Sequence, residues 1–203
     1  MVVARLIRRV HVVVGLAAGA LVLLFAVSGL MLNHRWALWE FWSERVERVQ
    51  QVRVEVPRVG SELERARSVL SQMKVQGEVT YLVHDSDSDT LEIRTTRPGR
   101  LATVRVHNAS GEGRLTIVDL NGWSLLPGLH VLSGLHSNLA EKKNWIGTAV
   151  WSAMMDATVL ALVLLVGTGL YLWAAAPADR RVGMLALAFG TGSAAAVLWV
   201  LCQ

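Results

Sequence analysis

The sequence is short of charge, cysteine and proline. Only 18% of its 203 residues are charged, whereas an average soluble domain has about 25%, and 53% are hydrophobic. The single cysteine, Cys202, excludes an intrachain disulfide and a cysteine-rich metal site. Four prolines and the apolar composition exclude a collagen-like or disordered chain. What remains is a composition typical of a membrane protein.

The positive charge lies in two short segments rather than in one basic patch. The net charge is +4, yet residues 35–144 contain 15 Lys and Arg against 14 Asp and Glu. The excess comes from Arg5, Arg8 and Arg9 near the start and from Arg180 and Arg181 near the end. Nucleic-acid binding requires a clustered basic surface on the soluble part, so no nucleic-acid partner is expected.

Three apolar stretches are each long enough to cross a bilayer, which takes about 20 residues. They cover residues 10–32, 157–176 and 182–201, and the second extends back to residue 145 when its flanking apolar residues are included. We therefore expect an α-helical membrane protein with three transmembrane helices and one small extracytoplasmic α+β domain. The expected segments are 1–34 for the N-terminus and first span, 145–176 for the second, 177–181 for a loop and 182–203 for the third.

The basic residues also predict the orientation of the spans. Short basic segments stay on the cytoplasmic side, so the N-terminus and the loop at 177–181 are expected inside. Residues 35–144 then lie outside, as an extracytoplasmic domain. An aromatic belt flanks the first two spans on that side: Trp36, Trp39, Phe41, Trp42, Trp145 and Trp151. A cleaved signal peptide is the other interpretation, but the apolar run exceeds the usual core of about 7–15 residues.

The region between the first two spans has the pattern of a small α+β domain, expected over 35–124. Ser61 and Glu64 form the sequence of a capping box, and apolar residues follow at helical spacing. Alternating segments then predict strands at 79–84, 91–95, 102–107 and 115–120. Residues 125–144 are expected to form an interfacial amphipathic helix, over 125–139, and a linker to the second span.

Four histidines could carry chemistry. His11 lies at the inner end of the first span, on one helical face with Gly15, Ala18 and Gly29, where small residues let a helix or a flat cofactor approach. Snorkelling at the headgroups is the alternative for His11. His34, His130 and His136 are predicted to gather near the outer leaflet.

Imidazole is a natural axial ligand of a b-type haem, and the chain has no Cys-x-x-Cys-His motif for covalent attachment. The sequence thus favours non-covalent haem b, one or two, with haem iron bound through His34, His130 and His136. His34 is expected to pair with His130 or His136, and the choice stays open. His11 would bind an inner haem, if one exists, with Met184 or a second subunit as its partner. No catalytic residue is identified.

The sequence also contains an internal echo. Residues 27–32 and 167–172 share the order hydroxyl, Gly, Leu, apolar, Leu, centred on Ser28 and Thr168. The first and second spans run in opposite directions, so the echo is an inverted one.

Taken together, residues 9–16, Ser28-Gly29-Leu30 through Asn33-His34, Leu129-His130 or Leu135-His136, and residues 168–173 resemble the PepSY-associated transmembrane family. The resemblance covers most of the chain and implies that the outer domain is a single PepSY-type module. Larger relatives have more spans and two modules, and some are haem-containing reductases of ferric siderophores.

The resemblance implies an integral b-type haem protein that transfers electrons, with an extracytoplasmic acceptor such as a ferric chelate. Whether it acts as a ferric reductase or as an electron-transfer subunit stays open. No flavin or nicotinamide motif is present, so the donor is expected to be another protein or a quinone. The alternative is a non-catalytic membrane subunit that docks, assembles or regulates a larger respiratory or transport complex. The other expected partners are the lipid bilayer and a second copy of the chain.

Overall fold

The computed structural model describes residues 2–34, 44–132, 137–176 and 180–203. Its helices are α1 (Val2–Asn33), α2 (Glu62–Gln72), α3 (Gly122–His130), α4 (Ile146–Ala175) and α5 (Arg180–Leu201). Its strands are β1 (Arg45–Arg53), β2 (Glu78–Asp85), β3 (Thr90–Arg97), β4 (Arg100–His107) and β5 (Glu112–Leu120).

Three of these helices, α1, α4 and α5, are long and apolar enough to cross a membrane. They contain the three apolar stretches recognised in the sequence except for Ala176, which follows the end of α4. The helices α1 and α5 also include the basic residues that precede their stretches. Residues 177–179 of the expected loop lie outside the described residues, whereas Arg180 and Arg181 belong to α5. No residue of α5 is buried.

The chain divides into two compact units. One contains the residues up to Leu21 and those from Ala157 onward, and the other contains Val22–Asp156. The helices α1 and α4 each contribute to both units, while the whole sheet belongs to the second.

The sheet has five strands in the order β1-β5-β4-β3-β2, and all of its pairs are antiparallel. Alternate side chains of each inner strand point to one face, where α2 packs against them. Ile93, Val104 and Val106 of the strands and Val69 of α2 are almost completely buried in this core. The four predicted strands are confirmed as parts of β2 to β5.

The capping box predicted at the start of α2 is confirmed. The Glu64 backbone N–H donates to Ser61 Oγ at 3.3 Å, and the Ser61 N–H donates to a Glu64 carboxylate oxygen at 2.8 Å. These bonds satisfy two backbone donors at the open end of the helix. They lower the pKa of Glu64, because the Ser61 N–H and hydroxyl both donate to its ionised carboxylate.

The edge strand β2 is closed by two asparagine side chains from the segment that precedes α4. Asn138 accepts from the Leu82 N–H at 3.0 Å and donates to the Leu82 carbonyl at 2.8 Å. Asn144 makes the same pair of bonds with Val79, both at 3.0 Å. Each amide group therefore replaces the peptide of a neighbouring strand, and β2 does not present an open edge at these positions.

A buried carboxylate joins the same strand to the start of α4. Glu78 is completely buried, and its two oxygens accept from the backbone N–H groups of Asn144 and Trp145, at 2.9 and 2.8 Å. Because Trp145 directly precedes Ile146, Glu78 fixes the position at which α4 begins.

The expected helix over 125–139 is shorter and begins earlier. α3 covers Gly122–His130, with Asn121 as its N-cap, and residues 137–144 are not helical. The side chains of Ser137, Asn138 and Asn144 bond to β2, and this pairing favours an irregular chain over another helical turn. Residues 133–136 lie outside the described residues.

Candidate functional site

His11 of α1 is held by a hydroxyl group of α4. Its Nδ1 lies 2.8 Å from Thr168 Oγ1. The Thr168 hydroxyl donates its one hydrogen to the Leu164 carbonyl, at 2.6 Å, so it acts as an acceptor toward the imidazole. When the ring is neutral, this arrangement places its proton on Nδ1 and its lone pair on Nε2.

The residue after Thr168 makes room for the imidazole ring. A Cβ atom added at Gly169 would lie 3.6 Å from His11 Cε1, at ordinary van der Waals distance. One turn further along α1, a Cβ at Gly15 would lie 3.5 Å from Leu165. Small residues thus let α1 and α4 approach each other around His11.

His130 of α3 is held in the same way by a hydroxyl group of α1. Its Nδ1 lies 2.9 Å from Ser28 Oγ, and Ser28 is only 1% exposed. The Ser28 hydroxyl donates to the Phe25 carbonyl, at 3.2 Å, so it too accepts from the imidazole. With the serine hydrogen on the Phe25 carbonyl, a neutral His130 has its proton on Nδ1 and its lone pair on Nε2.

The ring of His130 is enclosed more closely than the ring of His11. A Cβ at Gly29 would lie 3.3 Å from His130 Cε1, and the Phe25 ring meets the imidazole edge-on, with centroids 5.6 Å apart. Trp151 packs against Phe25 and donates from Nε1 to the Leu129 carbonyl, at 2.9 Å. This last bond fixes the end of α3 that carries His130.

The two arrangements share one design, which we call a hydroxyl–glycine seat: Ser28-Gly29 for His130 and Thr168-Gly169 for His11. In each seat the hydroxyl orients Nδ1 and the following glycine leaves space for the ring. These are the two halves of the echo between residues 27–32 and 167–172. The repeated pattern was visible in the sequence. The contacts of Ser28 with His130 and of Thr168 with His11 were not, because residues so far apart in the chain show no regular spacing.

One comparison with known proteins identifies the family of the chain. The family described as the PepSY-associated TM region matches residues 8–200, nearly the whole sequence. The chain belongs to the PepSY-associated transmembrane family. Both hydroxyl–glycine seats and both of their histidines lie within the matched residues. No curated protein and no solved structure matches this member of the family.

The other predicted site residues of this PepSY-associated protein have different surroundings. His34, in the turn after α1, bonds through Nδ1 to the Leu30 carbonyl at 3.2 Å. His34 and His130 therefore have different hydrogen-bond partners, and their pairing on one haem stays a prediction. His136 lies outside the described residues. Across the described ranges, no group of three or more His, Cys, Asp or Glu side chains could hold a metal ion.

Haem is the cofactor that the sequence predicts, and the donor chemistry of the two seats fits it. An axial histidine binds iron through an unprotonated ring nitrogen and donates the other N–H to a nearby acceptor. His11 and His130 have this arrangement, and among the residues that the structure describes neither Nε2 has a hydrogen-bond partner. Each imidazole is thus oriented for ligation through Nε2.

Proposed function

We propose that this chain is a membrane-bound b-type haem protein that transfers electrons, with His11 and His130 as axial ligands. The observation that carries the proposal is the repeated hydroxyl–glycine seat, in which a hydroxyl group contacts Nδ1 and leaves Nε2 of each imidazole available to iron. Bound haem would supply one-electron transfer between ferric and ferrous iron. An extracytoplasmic ferric chelate is the acceptor we favour.

The residues of the seats have defined roles in this proposal. Ser28 and Thr168 accept from the Nδ1 N–H groups, which keeps each ring in one orientation. Phe25 packs edge-on against the His130 ring, and Trp151 packs in turn against Phe25. His34 or His136 would supply the second ligand on the iron of His130, and Met184 or a second subunit the second ligand for His11.

The test is a reduced-minus-oxidised visible spectrum of the purified protein, with the haem-to-protein ratio measured in parallel. We expect the bands of b-type haem, and we expect His130→Ala and His11→Ala each to lower the ratio. His107→Ala, at the exposed end of β4, is the matched control and should leave the ratio unchanged. A wild-type protein that binds no haem would contradict the proposal and favour the docking or regulatory subunit. His34→Ala tests the pairing: an unchanged spectrum excludes His34 as a ligand.

We further propose that the spans place the N-terminus in the cytoplasm and the sheet, as a PepSY-type module, on the periplasmic side of a bacterial inner membrane. The basic residues near the starts of α1 and α5 support this orientation. The test is Asp87→Cys in a Cys202→Ser background, since Asp87 lies in the turn between β2 and β3. An impermeant thiol reagent should label it from the periplasmic side. Labelling from the cytoplasmic side alone would reverse the topology.

A further inference from the structure

A cavity of about 430 Å³ lies between α3 and the sheet, on the sheet face opposite α2. Its walls come from the ends of β2 to β5 that lie nearest α3 and from one side of α3. The volume falls within the range of about 300–1,000 Å³ that is usual for small-molecule sites. The lining is mainly apolar and includes Leu101, Leu120 and Leu132.

Two charged side chains also line the cavity, and they restrict the ligand. The Arg97 guanidinium has no hydrogen-bond or ion-pair partner in the part of the chain that the structure describes, so its N–H groups can serve a ligand acceptor. Glu78 contributes a buried carboxylate to the same cavity, which disfavours an anionic ligand. The chemistry selects a neutral, largely apolar molecule that carries hydrogen-bond acceptors.

The cavity lies on the other side of α3 from the Ser28–Gly29 seat. Gly128 and Val131 line the cavity, while the neighbouring His130 contacts Ser28. A molecule in the cavity would therefore be separated from the His130 imidazole by about one helix diameter, roughly 10 Å. This position suits a ligand that exchanges electrons with a group bound at His130.

We propose that this cavity binds the headgroup of a membrane quinone, with a ring carbonyl accepting from Arg97. A quinone headgroup is neutral, flat and apolar except for its carbonyl acceptors, which matches the lining. The choice of a redox-active ligand rests on the proposed haem function, because it depends on the position of His130. The existence of the cavity does not depend on that function. Nor does its preference for a neutral ligand with hydrogen-bond acceptors.

Gly128 offers a sharp test, because a Cβ added there meets no atom within 4 Å. Gly128→Leu should fill the cavity without disturbing the packing of α3. Gly122→Leu is the matched control: Gly122 is on the same helix, does not line the cavity and also has open space around it. Far-UV circular dichroism should show that both variants retain the wild-type helix content. Arg97→Leu is a second, independent variant, chosen because it removes the donor.

The measurement is binding of decylubiquinone to the full-length protein in detergent, followed by quenching of tryptophan fluorescence. We expect Gly128→Leu to weaken binding by about tenfold or more, and Arg97→Leu to weaken it by a smaller factor, while Gly122→Leu binds as wild type. Decylbenzene, which has the tail but no carbonyl groups, should not compete. Equal binding by Gly128→Leu, or equal competition by decylbenzene, would overturn the proposal.

The result of the quinone-binding experiment can be distinguished from the result of the haem experiment that tests the proposed function. Loss of quinone binding with an intact haem spectrum supports the cavity site and leaves the haem proposal standing. Absence of quinone binding to a haem-loaded wild-type protein overturns the quinone site alone. Absence of haem overturns the proposed function, whatever the quinone result.

Discussion

The two hydroxyl–glycine seats differ in what surrounds the imidazole. His130 lies on a nine-residue helix, beside Phe25 and against a glycine at close range, and Trp151 bonds to the residue before it. His11 lies on a 32-residue helix, and its seat adds an ordinary contact with Gly169. Both rings are therefore oriented by a hydroxyl group, and the contact with Phe25 further restrains the ring of His130.

The largest effect is expected from removing the hydroxyl groups. Thr168→Val and Ser28→Ala each leave an imidazole N–H without its acceptor, which should lower haem affinity by about 10–100-fold. We expect the larger loss at Thr168, because the edge-on contact with Phe25 also restrains His130. Haem titration into the haem-free variants measures this difference.

Conservative substitutions supply the control for that experiment. Thr168→Ser and Ser28→Thr keep the hydroxyl, so both should bind haem within a few-fold of wild type. Equal losses in Thr168→Val and Ser28→Ala would show that the packing around His130 contributes nothing to ligation. Unchanged affinity in both would exclude the seats from the site.

A smaller difference is expected between the thermal stabilities of alanine variants at Gly29 and Gly169. Gly29→Ala places a Cβ 3.3 Å from His130, so the ring must shift, whereas Gly169→Ala meets His11 at 3.6 Å without strain. Overpacking costs about 1–3 kcal/mol, and alanine favours a helix over glycine by about 1 kcal/mol. Gly169→Ala should therefore raise the Tm, and Gly29→Ala should leave it unchanged or lower it. A higher Tm for Gly29→Ala than for Gly169→Ala would contradict the difference in enclosure.

The smallest effect is expected in the sheet, away from both seats. Asp119 accepts hydrogen bonds from Arg100 and Arg48, and these bonds, the one from Arg100 above all, lower the pKa of its carboxyl group. The folded state thus binds its proton less readily than the unfolded state does. The stabilisation is complete above the ordinary pKa of 3.8 and is lost as the pH falls through the lowered value.

Asp119→Asn should therefore lower the Tm by at most a few degrees at pH 7 and by less at pH 3, since the carboxylate is near the surface. Thermal unfolding at the two pH values measures the change. The haem spectrum should stay as in wild type, because Asp119 stabilises the sheet and does not contact either hydroxyl–glycine seat. A spectrum altered by Asp119→Asn would contradict that expectation.

Local signals made much of this fold predictable. The capping box of Ser61 and Glu64 and the four alternating segments correspond to α2 and to β2–β5, because both patterns depend on neighbours in sequence. β1 gave no such signal: Val46, Val49 and Val52 recur every third residue, and the segment becomes a strand only through its pairing with β5. The length of α3 was misjudged because the bonds of Asn138 and Asn144 to β2 are long-range.

The candidate site was predictable in part for the same reason. His11 and His130 stood out as histidines in apolar segments, and the echo drew attention to Ser28 and Thr168. Their combination into seats depends on contacts between residues 102 and 157 positions apart, which no periodicity encodes. The pairing of His34 with another histidine stays a prediction.

The asparagine closure of β2 has a consequence for the order of assembly. Asn138 and Asn144 follow all five strands in sequence, so the sheet emerges from the ribosome with its β2 edge still open. The edge of β2 is covered only after the segment immediately before α4 has been synthesised. Glu78 then fixes the start of that helix. A chain halted before residue 137 would expose the edge to strand pairing with other chains, which makes the nascent protein most prone to aggregation just before its second long helix is synthesised.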